Sequence, residues 1–186
     1  MKRFFDFSFA LVAAVVFLIP IAIVALAVKL TSPGPALYWS DRVGRGNRIF
    51  RMPKFRSMRV DTPAVATHLL SDPKSHLTPI GGFLRKSSLD ELPQIWSILC
   101  GDMSLVGPRP ALFNQQDLIE LRTQYGVHEL RPGLTGWAQI NGRDELPIPI
   151  KVKFDTEYAQ RRSFLFDLEI LFKTFARVMR RDGVSH

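Results

Sequence analysis

Cysteine is almost absent from this 186-residue sequence, in which Cys100 is the single example. One cysteine excludes an internal disulfide and fits a reducing compartment. Cys100 ends a run of mainly apolar residues, so it is expected to be a small buried side chain. Internal repeats, low-complexity tracts and nucleic-acid-binding motifs are also missing. The chain therefore has room for one modest domain and an appendage, and nucleic acid is not an expected partner.

Acidic residues are scarce in one part of the chain. Residues 29–60 contain eight lysines and arginines but only one acid, Asp41, whereas residues 61–186 carry fifteen charges of each sign. Nearly all of the formal net charge of +8 therefore follows directly after a hydrophobic N-terminal segment. A basic block in that position predicts contact with anionic lipid headgroups or with a phosphorylated substrate. Membrane lipids are accordingly expected partners.

Charge is missing altogether from residues 7–28, a segment of 22 residues that is long enough to cross a bilayer as a helix. It does not fit a signal peptide, because its apolar core is too long and no good cleavage site follows. Pro20 interrupts the segment, and both of its flanks are basic, beginning with Lys2 and Arg3. Basic residues favour the cytoplasmic side. A re-entrant helix bent at Pro20 is therefore favoured over a spanning helix, which stays the alternative.

The expected organisation is a membrane-embedded helix over residues 1–30 and a compact cytosolic domain over residues 31–186. The predicted class is α+β and mostly helical. Strands over residues 36–43 and 49–58 flank a Gly-Arg-Gly-Asn turn and predict a small β-hairpin, in which Pro53 interrupts the second strand or places it at an edge.

Helices are predicted in three short segments and one long one. The short ones cover residues 78–85, 93–99 and about 112–125. The long helix is C-terminal and amphipathic, with an apolar face and a face that includes Asp167 and several basic residues. The apolar face comprises Phe164, Leu168, Leu171, Phe172, Phe175 and Met179. It either packs into the core or lies in the membrane interface.

Two adjacent carboxylates, Asp90 and Glu91, precede the helix predicted at residue 93. Ser88 followed three residues later by Glu91 is the pattern of a capping box, so the acids could serve only to cap a helix. Pro93 opposes this interpretation, because its ring would clash with the carbonyl of Leu89 in a helix capped by Ser88. Pro93 fits better as the first helical residue, with the acids on the preceding turn. No other part of the sequence offers a comparable nucleophile or metal ligand.

Three basic stretches rich in glycine or proline accompany the acids. They contain Lys54 and Arg56, then Arg109, then Arg131 and Arg143. Glycine lets a backbone approach a phosphate, arginine binds phosphate oxygens through a bidentate fork, and proline holds the geometry. Loop arginines are usually only solvated, but the combination predicts a phosphoryl-transfer site at a membrane surface. An aspartate can attack phosphorus, and Mg²⁺ bound by Asp90 and Glu91 would neutralise a diphosphate.

These residues resemble the bacterial sugar transferase family, the small monotopic polyprenyl-phosphate phosphoglycosyl transferases. The likeness covers nearly the whole chain, beginning with the hydrophobic helix that contains Pro20. It continues through motifs at residues 32–35, 41–44, 54–58, 84–94, 101–110 and 131–143. Ser32 and Ser57 depart from the commonest family residues, which are acidic and Thr. Larger relatives add an N-terminal membrane bundle, so this sequence looks like a minimal catalytic unit.

The resemblance implies that Asp90 attacks the sugar-bearing phosphate of a UDP-sugar, releases UMP and holds the sugar phosphate covalently. Undecaprenyl phosphate then accepts it at the cytoplasmic face of the bacterial inner membrane. This is the first membrane step in assembling an O-antigen, capsule, exopolysaccharide or glycoprotein. Glu91 is expected to bind Mg²⁺ or activate the acceptor. The substrate-site candidates are Lys54, Arg56, Arg85, Arg109, Arg131 and Arg143. Two alternatives stay open: a membrane-anchored scaffold without turnover, and direct attack by the acceptor in a ternary complex.

Overall fold

The computed structural model describes residues 2–63, 72, 74–142 and 146–180, with residues 178–180 described by their backbone alone. Its described part is mostly helical and includes a small antiparallel hairpin, which confirms the α+β prediction. The helices are α1 (Lys2–Val16), α2 (Leu18–Thr31), α3 (Gly81–Ser87), α4 (Ile95–Cys100), α5 (Gln116–Gln124), α6 (Trp137–Ile140), α7 (Ile148–Arg161) and α8 (Phe164–Arg180). A 3₁₀ helix (Leu89–Gln94) precedes α4.

The N-terminal hydrophobic segment forms two helices, α1 and α2, joined at Phe17. The helix axis bends by 61° at this junction. Pro20 explains the position of the break, because it has no N–H to donate to the carbonyl of Val16 and its ring crowds that carbonyl. The predicted bend is therefore confirmed. Among the described helices, none alone has the length and hydropathy of a membrane span, whereas the bent pair taken together does.

Helix α1 contributes directly to the main core of the protein. Ala10 is fully enclosed among side chains from α4, β3 (Ser104–Val106), α7 and α8. Asp6 is also buried, where it accepts hydrogen bonds from the hydroxyl of Ser104 and the amide of Leu105. The first helix therefore packs against the residues that follow it in the chain, while the expected domain boundary after residue 30 stays a prediction.

The predicted hairpin consists of β1 (Leu37–Val43) and β2 (Ile49–Phe55), paired antiparallel with Leu37 opposite Phe55. Pro53 lies within β2 opposite Trp39, so it does not interrupt the strand. A two-stranded ribbon tolerates a proline, because each strand has an outer edge that needs no N–H. The second strand ends three residues earlier than predicted. Phe55, its last residue, packs with Val24 and Val28 of α2 and Leu84 of α3 in a second core cluster.

The segment around the acidic pair differs from the prediction at the helix start. Asp90 and Glu91 lie within the 3₁₀ helix rather than on a turn, and Pro93 is inside that helix, with α4 beginning at Ile95. Regular α-helical bonding begins only after Pro93, which has no N–H to donate. Ser88 has a left-handed backbone, with φ of 57°, and its side chain makes no capping hydrogen bond. The capping box is therefore not formed.

The predicted burial of Cys100 is wrong. Cys100 is exposed, because α4 directs Ser97 and Ile98 into the core and leaves Cys100 on the outer face with Trp96. In α8 the buried residues include Phe166, Asp167 and Ile170.

The predicted apolar face of α8 points away from the core at four positions: Phe164, Leu168, Phe172 and Phe175. The side chain of Met179 lies outside the described part. Asp167 was expected on the polar face, but it accepts a hydrogen bond from buried Tyr158 and pairs with Lys2. The core interpretation of the apolar face is therefore excluded at those four positions.

Candidate active site

The carboxylate of Asp90 is buried, with only 8% of the residue exposed. Burial raises its pKa from 3.8 to about 6; the charge of Lys54 acts in the opposite direction, the neighbouring charge of Glu91 raises it, and Arg85 and Arg109 lower it. The carboxyl group of Asp90 is therefore half ionised at about pH 6, just below neutral pH. Strongly displaced pKa values are concentrated at functional sites, although ion-pair networks also produce them.

Glu91 joins two cations that come from distant parts of the chain. Its Oε1 atom accepts hydrogen bonds from Nζ of Lys54, at 2.9 Å, and from Nη2 of Arg109, at 3.2 Å. Burial alone would raise the pKa of Glu91, but the charges and hydrogen bonds of Lys54 and Arg109 outweigh it and hold the pKa well below its usual range. Glu91 is therefore an anion at all ordinary pH values, in contrast to Asp90.

A shallow surface groove lies beside this ion-pair cluster. It is lined by residues of the hairpin, the 3₁₀ helix and the loop around Arg109: Arg42, Met52, Lys54, Glu91, Gln94, Arg109 and Pro110. Its charged lining is dominated by cations, and the buried carboxylate of Asp90 is adjacent in sequence to Glu91. The groove is therefore suited to an anionic ligand.

The loop that carries Arg109 is positioned by a short parallel pairing of β3 with β4 (Gly133–Thr135). The amide of Gly107 donates to the carbonyl of Thr135, and the amide of Gly133 donates to the carbonyl of Pro108. A Cβ atom on Gly107 would overlap the carbonyl oxygen of Arg131, and one on Gly133 would overlap the amide of Gly107. These glycines therefore allow two backbone segments to cross, while the phosphate contact expected from sequence stays a prediction.

The six basic candidates occupy different surroundings. Lys54 and Arg109 meet at Glu91, and Arg85 is near enough to Asp90 for its charge to lower that pKa. Arg56 is buried elsewhere and donates to the carbonyls of Pro35 and Ser32, which ties the end of α2 to the hairpin.

Arg131 lies beside the crossing loops, where its carbonyl faces Gly107. Within the described part of the chain, no hydrogen bond or ion pair links its guanidinium to Glu91. Arg143 lies outside the described residues. The substrate-binding roles of all six stay predictions.

Sequence reasoning missed two polar residues of the groove, Arg42 and Gln94. Arg42 donates to the carbonyl of Pro110, and Gln94 is buried in the 3₁₀ helix. It also missed Arg122, which is buried in α5 behind the loop of Arg109. One signal was available for Arg122: it follows Leu118 by four residues, so both lie on one face of the helix.

The residues present fit Mg²⁺ only in part. The described residues contain no cluster of three or more histidine, cysteine or acidic side chains that would enclose a metal ion. Two adjacent carboxylates are nevertheless a hard oxygen donor set, and Mg²⁺ is commonly held by one or two carboxylates together with water and substrate phosphates. Asp90 and Glu91 are therefore compatible with a Mg²⁺ ion whose remaining ligands come from a diphosphate substrate.

The structure thus combines a cation-lined groove, a neighbouring buried carboxylate and an apolar, bent helix pair. Residues 1–181 match the family described as bacterial sugar transferase, and the chain belongs to this family. The resemblance drawn from the motifs is thus confirmed.

Related proteins share substantial identity with this chain. It is 43% identical over 160 residues to the UDP-glucose:undecaprenyl-phosphate glucose-1-phosphate transferase of Escherichia coli, a match that covers 81% of this chain and 34% of that protein. It is 36% identical over 202 residues to the undecaprenyl-phosphate galactose phosphotransferase of Salmonella typhimurium, covering 98% and 42% of the two chains.

An uncharacterized sugar transferase of Bacillus subtilis, EpsL, is 38% identical over 191 residues, and the match covers 100% of this chain and 90% of that protein. The chain spans less than half of the length of the other two relatives.

Proposed function

We propose that this protein transfers a sugar 1-phosphate from a UDP-sugar to undecaprenyl phosphate and releases UMP. Its relatives in Escherichia coli and Salmonella typhimurium are named for transfers of this kind. The observation that carries the proposal is the convergence of Lys54 and Arg109 on Glu91, next to the buried carboxylate of Asp90. A diphosphate requires such cations, and its cleavage requires a nucleophile close to them.

In the first step, a carboxylate oxygen of Asp90 forms a bond to the sugar-bearing phosphorus. The bond from that phosphorus to the oxygen of UMP breaks, and UMP leaves with the electron pair. In the second step, an oxygen of undecaprenyl phosphate attacks the same phosphorus and the bond to Asp90 breaks. The carboxylate is regenerated, so the aspartate acts as a covalent catalyst. A pKa of about 6 suits this role, since Asp90 is mostly ionised at neutral pH yet poorly solvated.

Glu91 has a separate role in this proposal. It holds Lys54 and Arg109 beside Asp90 before the substrate arrives, because its permanent charge pairs with both. The two cations then bind the oxygens of the diphosphate and offset the repulsion between the anionic nucleophile and the anionic phosphate. Asp90 and Glu91 would together hold Mg²⁺, which supplies further neutralisation of the diphosphate when bound.

We further propose that α1 and α2 form a re-entrant hairpin in the cytoplasmic leaflet of the bacterial inner membrane. Around the bend, Val12, Val15, Leu18, Ile19 and Ile23 are each more than half exposed, and an apolar surface of this kind marks a membrane or partner contact. Both outer ends of the pair meet the same domain. Arg3 donates to the carbonyls of Ile98 and Leu99, and α2 leads directly into the hairpin. A helix that crossed the bilayer could not place both ends on one side.

Helix α8 extends this apolar surface. Phe164 packs edge-on against Phe5 of α1, with ring centroids 5.1 Å apart. The exposed Leu165, Phe172 and Phe175 follow along the outer face of α8. An amphipathic helix beside the inserted pair is suited to lie in the membrane interface, which would place the domain against the cytoplasmic headgroups.

The reaction is tested by incubating the purified protein with Mg²⁺, undecaprenyl phosphate and each of several UDP-sugars while UMP is measured. The proposal requires UMP release with at least one donor, its loss in EDTA and its loss in Asp90→Asn. Without acceptor, a donor radiolabelled in the sugar-bearing phosphate should label the wild-type protein but not Asp90→Asn. Turnover without labelling would support direct attack in a ternary complex. A folded protein that releases no UMP would favour the scaffold alternative.

The membrane topology has its own test, because exposed Cys100 is a native reporter of the domain. Single cysteines at Phe4 and Thr31, each in a Cys100→Ser background, are treated with an impermeant thiol reagent in oriented vesicles. All three positions should react from the cytoplasmic side. Reaction of the residue 4 and residue 31 cysteines from opposite sides would exclude the re-entrant form.

A further inference from the structure

Arg109 is fixed through both its side chain and its backbone, and only the side chain faces the groove. Its guanidinium contacts Glu91, while its carbonyl oxygen accepts a hydrogen bond of 2.8 Å from Nη1 of Arg122 in α5. Prolines on both sides of Arg109 restrict the backbone and donate no hydrogen bonds of their own. The orientation of this loop therefore depends strongly on the groups that bind its carbonyls.

Arg122 is itself fixed by a second buried residue. Its Nε and Nη2 atoms donate to Oδ2 of Asp155 in α7, at 3.0 and 2.7 Å. The side chains of Arg122 and Asp155 are only 9% and 2% exposed. Burying such a pair in an apolar environment brings little net stability, because the desolvation of two charges offsets their attraction. The pair is better explained by the geometry that it imposes on the Arg109 carbonyl.

The neighbouring backbone groups are anchored as well. Arg42 binds the carbonyl of Pro110 at 3.1 Å, and the amide of Val43 binds the carbonyl of Ala111 at 2.9 Å. On the other side, the amide of Gly133 binds the carbonyl of Pro108. Arg122 anchors one more carbonyl of this loop, that of Arg109, whose side chain enters the groove.

We propose that Arg122, held by Asp155, is a positioning residue that sets the guanidinium of Arg109 at the distance from Glu91 needed to bind the donor diphosphate. The inference rests on the proposed function, since it assigns Arg109 to the donor. Arg122 and Asp155 do not line the groove, and they act on Arg109 only through the backbone of its loop. A purely structural ion pair is the competing explanation.

A double-mutant cycle separates the two explanations. Arg109→Gln, Arg122→Gln and the double variant are compared with wild type for kcat and for KM of UDP-glucose, or of whichever UDP-sugar the wild type uses. If Arg122 acts through Arg109, each single variant raises KM about tenfold, as expected for one lost charge-assisted contact. The double variant should then be no worse than Arg109→Gln. Losses that multiply would overturn the inference.

Two further variants address folding. Asp155→Asn preserves size and leaves Arg122 in place, so it should raise KM less than Arg122→Gln does while the protein stays folded. Ile170→Val removes a buried methyl group from α8, in a core cluster that contains none of residues 108–111, so it serves as a control for a loss of stability. It should lower the unfolding temperature with KM unchanged. An equal rise in KM in Ile170→Val would show that lost packing, rather than positioning, is responsible.

The outcomes distinguish the inference from the function on which it rests. No UMP release by the wild type from any UDP-sugar would overturn both. UMP release that is indifferent to Arg109→Gln would remove Arg109 from donor binding and overturn the inference while the reaction stands. UMP release with sensitivity to Arg109→Gln but not to Arg122→Gln would overturn the inference alone.

Discussion

Replacing Asp90 with asparagine is expected to stabilise the fold while it abolishes transfer. The carboxylate is buried, and this raises its pKa from 3.8 to about 6 in spite of the nearby charges of Lys54, Arg85 and Arg109. The folded protein therefore binds a proton more tightly than the unfolded chain does at this position. Holding Asp90 ionised at neutral pH costs folding free energy, and an asparagine of similar shape avoids that cost.

The shift in pKa sets the magnitude. A displacement from 3.8 to about 6 corresponds to about 3 kcal/mol, at about 1.4 kcal/mol for each pKa unit. The sign follows from linkage: below pH 3.8 both states are protonated and the cost is absent. It grows as pH rises from 3.8 to 6, where the folded state retains the proton that the unfolded state has lost, and it is complete above pH 6. Asp90→Asn should therefore gain up to about 3 kcal/mol at pH 7.5 and little at pH 4.

The assay is denaturant unfolding of the wild type and variant in the same detergent, in EDTA so that no divalent cation alters the charge balance. The free energy of unfolding is compared between pH 4 and pH 8. Asp102→Asn supplies a matched change at an exposed aspartate and should alter stability by less than about 0.5 kcal/mol.

One result would refute this reasoning directly. If Asp90 served only to cap the helical segment, Asp90→Asn would be neutral or would lose about 1 kcal/mol at pH 7.5. A variant that is less stable than wild type across the pH range would show that burial does not penalise this carboxylate. The scaffold alternative would then gain support.

Three further changes test other parts of the site. Lys54→Met should raise the pKa of Asp90 above 6, because Lys54 is the strongest of the charges that lower it. The acidic limb in the pH profile of UMP release should then move to higher pH. An unmoved limb would contradict the assignment of Asp90 as the group that titrates there. Ser88→Gly should stabilise the fold by about 1 kcal/mol in denaturant unfolding, since Ser88 has a left-handed backbone; a loss would point to a contact made by its side chain. Gly107→Ala should cost about 3 kcal/mol or more and weaken UDP-sugar binding, because its Cβ would meet the carbonyl of Arg131; an unchanged unfolding midpoint would contradict the close backbone crossing.

Long-range packing explains most of what sequence reasoning missed at the site. The chemistry expected of Asp90 and Glu91 followed from two adjacent carboxylates among arginines. Nothing local indicated that Lys54 and Arg109, which are 37 and 18 residues from Glu91, meet at one carboxylate oxygen. Arg56 shows the same limit, because it belongs to the same basic motif as Lys54. Its side chain is nevertheless buried against the carbonyls of Ser32 and Pro35, away from Glu91.

The sequence by itself determined the features that depend on residues close to one another along the chain. The bend near Pro20 follows from a missing N–H, the hairpin from alternation around a glycine turn, and family membership from motifs in order along the chain. Only the tertiary structure decided which side chains are buried. It exposed Cys100, enclosed Asp167 and placed the Arg122–Asp155 pair behind Arg109. Burial depends on segments distant in sequence, and burial is what moves the pKa of Asp90 from 3.8 to about 6.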